Sequence, residues 1–339
     1  IKLLGGLRID EHGKPQDGRF RYRSGAKGVL DVRVAIMPTF HGEKIEFRLL
    51  PASQKPVSIE ELGMLDDTAK AIKESMRKTY GMILICGPTG SGKTTTLYSI
   101  LSALNKPEVN IVTVEDPIEY NMDYVNQTQV NPAAGITFAS GLRAILRQDP
   151  NIVMVGEIRD GETADMAVQA ALTGHLVLSS VHTNDAPTAI PRLLDMGIPA
   201  FLVAAVLNVV SAQRLVRKIH PDCAEFYTPD KTILEAITRE LQSFDAAPEE
   251  VKSKLPKTLA RGKGCPADGG TGYMGRLGIY EILNVSESIR KLIVSPNFSL
   301  DDIKKEARKE GMMSMFEDGL RKAEKGTTTI EEVFRVIKD

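Results

Sequence analysis

Residues 87–94 read Gly87-Pro88-Thr89-Gly90-Ser91-Gly92-Lys93-Thr94, which fits the phosphate-loop pattern G-x-x-x-x-G-K-[ST]. The run Met82-Ile83-Leu84-Ile85-Cys86 in front of it is short and wholly apolar, as a buried strand is. The segment 94–104 behind it predicts a helix. Strand, glycine loop and helix are the setting in which this pattern holds a nucleotide. The glycines let the backbone curl so that successive N–H groups face phosphate oxygens, and the helix N-terminus adds partial positive charge. Lys93 is expected to reach the β- and γ-phosphates, and the Thr94 hydroxyl to hold Mg²⁺. ATP and Mg²⁺ are the cofactors implied, with Gly87, Pro88, Thr89, Gly90, Ser91, Gly92, Lys93, Thr94 and Thr95 as the binding residues. A glycine-rich turn matching by chance is the bland reading; the flanking strand and helix argue against it.

Outward from this loop, residues 58–219 alternate helical and strand patterns, which predicts an α/β domain with a mostly parallel sheet. Helices are expected over 66–79, 138–147, 163–172, 186–196 and 200–217, and strands over 109–114, 152–155 and 176–181. Residues 1–57 predict a β-rich domain: 31–37 and 44–49 alternate polar and apolar residues around a turn, as a hairpin does. Arg33 and Arg48 fall on the polar faces of those strands. The stretch 51–58 holds two prolines and reads as a linker. Residues 220–285 form a third segment, with a charged, helical excursion over 223–264 and a glycine-rich loop over 264–278. Residues 286–339 form a helical tail with breaks at Pro296, Gly311 and Gly326.

The chain has 339 residues, 43 basic and 44 acidic, for a net charge of −1. That balance gives no general attraction to nucleic acid or to an anionic membrane. Cys86, Cys223 and Cys265 are too few for a disulfide framework and suit a reducing, cytoplasmic setting. The longest nearly apolar run, 200–210, is broken by Asn208 and is too short to span a bilayer. The chain opens on Ile1 in strand-and-turn sequence, so a longer parent protein is expected.

Phosphate-loop ATPases need acids near the metal and the attacking water. Two strand ends offer them. Val155-Gly156-Glu157 closes one apolar strand, and Val114-Glu115-Asp116-Pro117-Ile118-Glu119 closes another. In parallel sheets such ends converge on the nucleotide. One acid is expected to orient the Mg²⁺ waters and the other to polarise the nucleophilic water. Glu157 is taken as the more critical, with Glu115 beside it and the division of roles open. Each is also readable as a solvated strand end. His182 closes the strand 176–181, where an imidazole can contact the γ-phosphate or simply sit satisfied at a sheet edge.

Together these pieces resemble the secretion ATPase superfamily, in its type II secretion and type IV pilus motor branch. The loop with its continuation Thr94-Thr95-Thr96-Leu97-Tyr98 matches. Val114-Glu115-Asp116-Pro117-Ile118-Glu119-Tyr120 is similar to the family's Asp box, Gly156-Glu157-Ile158-Arg159-Asp160 to its Walker B region, and Thr173-Gly174-His175 through His182-Thr183-Asn184 to its His box. The resemblance implies a RecA-like core, a small truncated α+β (PAS-like) N-terminal domain and a helical C-terminal tail. It also implies a homo-hexamer whose arginines from the smaller domain, here Arg33 and Arg48, complete the site; a guanidinium suits phosphate charge bidentately.

One element departs from the family pattern. Assembly and secretion motors carry two Cys-x-x-Cys pairs that hold zinc. Here the positions read His220-Pro221-Asp222-Cys223 and Cys265-Pro266-Ala267-Asp268, so two of four thiolates are replaced. His220, Cys223, Cys265 and Asp268 can all ligate zinc, while a decayed site held by packing is the alternative. Retraction motors lack the element, so its remnant implies an assembly or export motor. The expected function is a cytoplasmic Mg-ATPase at the inner face of the inner membrane, driving pilus assembly through a platform protein. It is not itself inserted in the membrane and binds no nucleic acid. Type II secretion is the neighbouring alternative; a RecA-like nucleic-acid translocase and an ATP-gated scaffold are rivals of other classes.

Overall fold

The alternation over 31–37 and 44–49 produces a hairpin, and a strand that the alternation had not suggested joins it. The computed structural model describes residues 1–24, 28–51, 56–243 and 248–338. Strands β1 (Gln16–Ser24), β2 (Gly28–Thr39) and β3 (Gly42–Pro51) form an antiparallel sheet in that order. Val32, Val34 and Ile36 are buried on one face. The other carries Arg33, directly opposite Arg19 on β1 and Arg48 on β3. This sheet belongs to the first of two units, Ile1–Pro56 and Val57–Asp339. Among its described residues the first unit has no helix, so the α+β expectation reduces there to β structure. Of the linker expected at 51–58, residues 52–55 lie outside the described residues.

In the second unit, helix α1 (Asp66–Met76) precedes the apolar run, which is strand β4 (Gly81–Cys86), every residue buried. Helix α2 (Lys93–Leu104) starts at the loop's lysine. Then follow β5 (Ile111–Glu115), β6 (Val125–Gln129), α3 (Phe138–Ile145), β7 (Ile152–Val155), α4 (Gly161–Leu172), β8 (Leu176–Val181), α5 (Ala189–Asp195) and α6 (Ala200–Val206).

The helix expected over 200–217 stops at Val206, and Leu207–Ile219 is strand β9. β9 lies between β4 and a later strand, buried on both faces over most of its length. A doubly buried strand reads as a continuous apolar run, which periodicity alone does not separate from a buried helix.

The excursion opens and closes on a two-stranded antiparallel ribbon, β10 (Ala224–Tyr227) with β11 (Leu259–Gly262), around α7 (Lys231–Ser243) and α8 (Pro248–Lys254). The glycine-rich stretch is a loop only as far as Gly272. From there β12 (Tyr273–Asn284) runs antiparallel to β9, with an irregularity between Tyr273 and Arg276 that takes in Gly275. The tail is α9 (Glu287–Ile293), α10 (Leu300–Lys309), α11 (Met315–Glu324) and α12 (Ile330–Lys338), broken where Pro296, Gly311 and Gly326 predict.

The seven-stranded sheet has the order β12-β9-β4-β8-β7-β5-β6, parallel except at β12. Alternate residues of β4 feed two cores: Met82, Leu84 and Cys86 on one face, Ile83 and Ile85 on the other. Each such side chain contributes roughly 1.5–3 kcal/mol by leaving water. The consequence for function is rigidity at the carboxyl edge of the sheet, where four neighbouring strands end.

Candidate active site

The glycine loop leaves β4 through residues that only glycine fits. Gly87, Gly90 and Gly92 have φ of +145°, +80° and +90°. A Cβ on Gly87 would stand 2.5 Å from Ser91 Oγ and 2.6 Å from the Gln213 carbonyl. Gln213, on β9, donates from Nε2 to the Ser91 carbonyl at 2.8 Å and accepts at Oε1 from the Thr96 hydroxyl at 2.8 Å. The loop is thus pinned from the neighbouring strand. Lys93 Nζ donates to the Gly87 and Pro88 carbonyls at 2.8 and 3.1 Å. Burial lowers the lysine's pKa while the Glu157 carboxylate pulls the other way. Thr94 and Thr95 are exposed at the start of α2. The Ser91 hydroxyl is buried with no hydrogen-bond partner. A lysine, an open threonine pair and an orphaned hydroxyl form a donor set that fits a phosphate chain and its Mg²⁺.

Strand order sets the rest of the site. β8 lies next to β4, β7 next to β8, and β5 next to β7. Their carboxyl ends therefore bring His182, Glu157 and Glu115 into sequence beside the loop. His182 Nε2 lies 3.1 Å from a Glu157 oxygen. The backbones under this pair are tied together: Ile158 N–H donates to the Ser180 carbonyl at 2.8 Å, and the Ser180 hydroxyl to the Gly156 carbonyl at 2.8 Å. Arg159 pairs with the same Glu157 carboxylate and reaches Asp116 at 3.5 Å, joining the ends of β7 and β5.

The two acids differ in setting. The Glu157 side chain is 15 % exposed. Glu115 is 2 % exposed and accepts from the Tyr98 phenol, from Thr113 Oγ1 at 2.5 Å and from Gln127 Nε2 at 3.1 Å. Burial pushes its carboxyl up even against those three bonds. Glu115 is a sequestered, saturated group, whereas Glu157 faces the loop's lysine.

Arg33 and Arg48 lie in the first unit as a directly opposed pair on β2 and β3. The four metal-candidate residues do converge: the ligand atoms of His220, Cys223, Cys265 and Asp268 all lie within 4.8 Å of one another. Asp268 Oδ2 is 3.0 Å from Cys223 Sγ and 3.2 Å from Cys265 Sγ, and His220 Nδ1 is 3.8 and 3.9 Å from the two sulfurs. Separations of this size fit four ligands around one tetrahedral ion.

Sequence reading missed Arg159, Gln213, Tyr98 and Gln127. Arg159 had a signal, being two residues beyond Glu157. Gln213 had none, because its segment reads as helix. Tyr98 and Gln127 meet Glu115 only through the packing of α2 and β6.

A family profile described as "Type II/IV secretion system protein" matches residues 1–335. The type IV pilus assembly ATPase PilB of Thermus thermophilus is 49 % identical over 333 residues, covering 98 % of this chain and 36 % of that protein. The type II secretion system ATPase E of Vibrio cholerae is 47 % identical over 339 residues, 100 % of this chain and 64 % of its own length. The chain therefore spans between about a third and two-thirds of these relatives. Among solved structures, the pilus retraction motor PilT with bound ADP superposes with a TM-score of 0.68 at 27 % identity, over 98 % of this chain and 79 % of that one. No helix among the described residues is long and apolar enough to cross a membrane. By profile, by relatives and by fold, the chain belongs to the type II/IV secretion system protein family.

Proposed function

We propose that this chain is the ATP-hydrolysing core of a pilus-assembly motor. It would act as a homo-hexamer at the cytoplasmic face of the inner membrane, on an inner-membrane platform protein. The bond between His182 and Glu157, beside the glycine loop, carries the reading. Residues 87–95 cradle the phosphates, and Lys93 leaves its carbonyl partners for the β- and γ-phosphates. Thr94, with Glu157 acting through water, would hold Mg²⁺, which neutralises phosphate charge when bound. Glu157 polarises the attacking water, and His182 orients that carboxylate and senses the γ-phosphate. Glu115, being buried and saturated, shapes the end of β5. Arg33 and Arg48 of a neighbouring copy stabilise charge developing on the transferred phosphoryl group.

The test is phosphate release from Mg-ATP across a range of protein concentrations. Mg-dependent turnover that rises to a plateau and vanishes in Lys93→Ala is expected. ATP binding without turnover at any concentration would sink the reading in favour of an ATP-gated scaffold. Type II secretion is the second reading, supported by the 47 % identity to the Vibrio protein; the chemistry is the same with different cargo.

His220, Cys223, Cys265 and Asp268 hold one Zn²⁺ in this reading, tying the start of the excursion to its end. Two thiolates, an imidazole and a carboxylate suit zinc less tightly than four thiolates. Metal analysis of the purified chain should find about one zinc per chain, lost in Cys223→Ala. Zinc at background after equilibration with Zn²⁺ would refute this.

A further inference from the structure

His182 is followed by a partly buried loop, 183–188, that opens α5. Two contacts from distant parts of the chain hold this loop. The Ala186 N–H donates to Glu281 Oε1, on β12, at 2.9 Å in a fully buried setting. Asp185 accepts from Lys304 Nζ, on α10, at 3.0 Å, and also from the Thr188 N–H at 2.8 Å. Within the loop, the Thr183 hydroxyl donates to the Asp185 carbonyl at 3.1 Å. Glu281 is in register with Ala212 on β9, and Ala212 with Cys86 on β4. The anchoring carboxylate therefore stands in the same row of the sheet as the residue that leads into the glycine loop.

We propose that Glu281 and Lys304 are positioning residues for ATP hydrolysis. From β12 and α10 they hold loop 183–188, and through it they set His182 against Glu157. The proposal rests on the reading of His182 and Glu157 as a working pair. It ties the C-terminal helices to the site although neither residue touches the nucleotide loop.

A carboxylate is a costly way to secure the backbone N–H groups of Ala186 and Met315. Glu281 is 5 % exposed, and desolvating a charge is expensive. A neutral amide of the same length would still accept the Ala186 bond. The charge earns a role only if its state matters to the loop. Burial pushes Glu281 up to about 7; the Ala186 and Met315 N–H groups and Lys304 act against that, and Asp185 adds to it. The Cys86 thiol also lies within reach of this charge, but burial pushes it up to about 12, so it stays neutral here. Ionised Glu281 makes the stronger, charge-assisted bond to Ala186. Turnover should therefore rise as pH climbs through about 7.

The experiment is steady-state ATP hydrolysis between pH 5.5 and 9 by the wild-type chain, Lys304→Met, Lys304→Arg and Glu281→Gln. Misplacing a reacting group by a fraction of an ångström costs on the order of tenfold. Lys304→Met should lower kcat roughly tenfold while KM for ATP stays within about twofold, and Lys304→Arg should recover most of the loss. Glu281→Gln should flatten the wild-type rise near pH 7. A wild-type kcat in Lys304→Met together with an unchanged pH profile in Glu281→Gln would overturn the proposal. So would a Lys304→Met defect that follows the thermal unfolding midpoint and is not recovered by arginine. A wild-type chain that binds ATP without turnover fails the underlying reading instead. The His182 imidazole ¹⁵N signal then still decides whether Lys304→Met loosens its bond to Glu157; an unchanged signal rejects the proposal.

Discussion

Glu115 and Glu157 both end buried strands, yet they meet different surroundings. In sequence each is an acid after an apolar run. In space Glu115 is enclosed by Tyr98, Thr113 and Gln127, while Glu157 is shared by His182 and Arg159. A carboxylate with all its bonds satisfied in a buried setting has little capacity left for a substrate water. We therefore expect Glu157→Gln to lower kcat about 10²- to 10³-fold with ATP binding retained. Glu115→Gln, which keeps an acceptor for Thr113 and Gln127, should cost about tenfold or less. Fluorescent-nucleotide binding and single-turnover rates separate the two effects. Full turnover in Glu157→Gln would reverse the assignment.

Among the elements, α11 shows how helix ends in the tail are held. Ser314 caps it and Glu317 returns a bond to the Ser314 N–H at 2.7 Å, a reciprocal capping box. Glu317 also pairs with Arg308 from α10 and with Lys254 from α8, the latter at 2.6 Å. Burial by itself would raise this carboxyl, but Arg308, Lys254 and the Ser314 N–H outweigh it and hold it at about 2. Since the folded value is depressed, its stabilisation is complete above the ordinary glutamate range near 4.5 and is lost as pH falls through about 2. Chemical denaturation between pH 2 and 6 should show wild-type stability falling below about pH 4.5. Glu317→Gln should start about 2 kcal/mol lower and fall less steeply. Parallel curves would mean that the charge contributes nothing. Ser314 and Glu317 lie one turn apart in sequence, whereas the arginine and lysine that share the carboxylate come from other helices.

At the scale of the whole molecule, the arginines and the glycine loop belong to different units of the chain, so the expected rise of specific activity with concentration has a direct meaning. If Arg33 and Arg48 act on a neighbour's nucleotide, dilution removes them, and Arg33→Ala or Arg48→Ala imitates dilution. Turnover independent of concentration would mean that one chain completes its own site. The sequence by itself determined the phosphate loop, the acids at two strand ends, the histidine at a third and the four-helix tail. Each of these is a local matter: glycine's access to positive φ, an apolar run of strand length, or a break at proline or glycine. Only the tertiary structure decided that 207–219 is a central strand, that Gln213 pins the glycine loop, and that Glu115 is shut away while Glu157 is shared. It also decided that two halves of a candidate metal-ligand set, more than forty residues apart, meet within 4.8 Å. A buried strand and a buried helix bury the same residue types, and hydrogen bonds between distant strands leave no local trace. Strand order, which local pattern does not encode, set the neighbours of each acid.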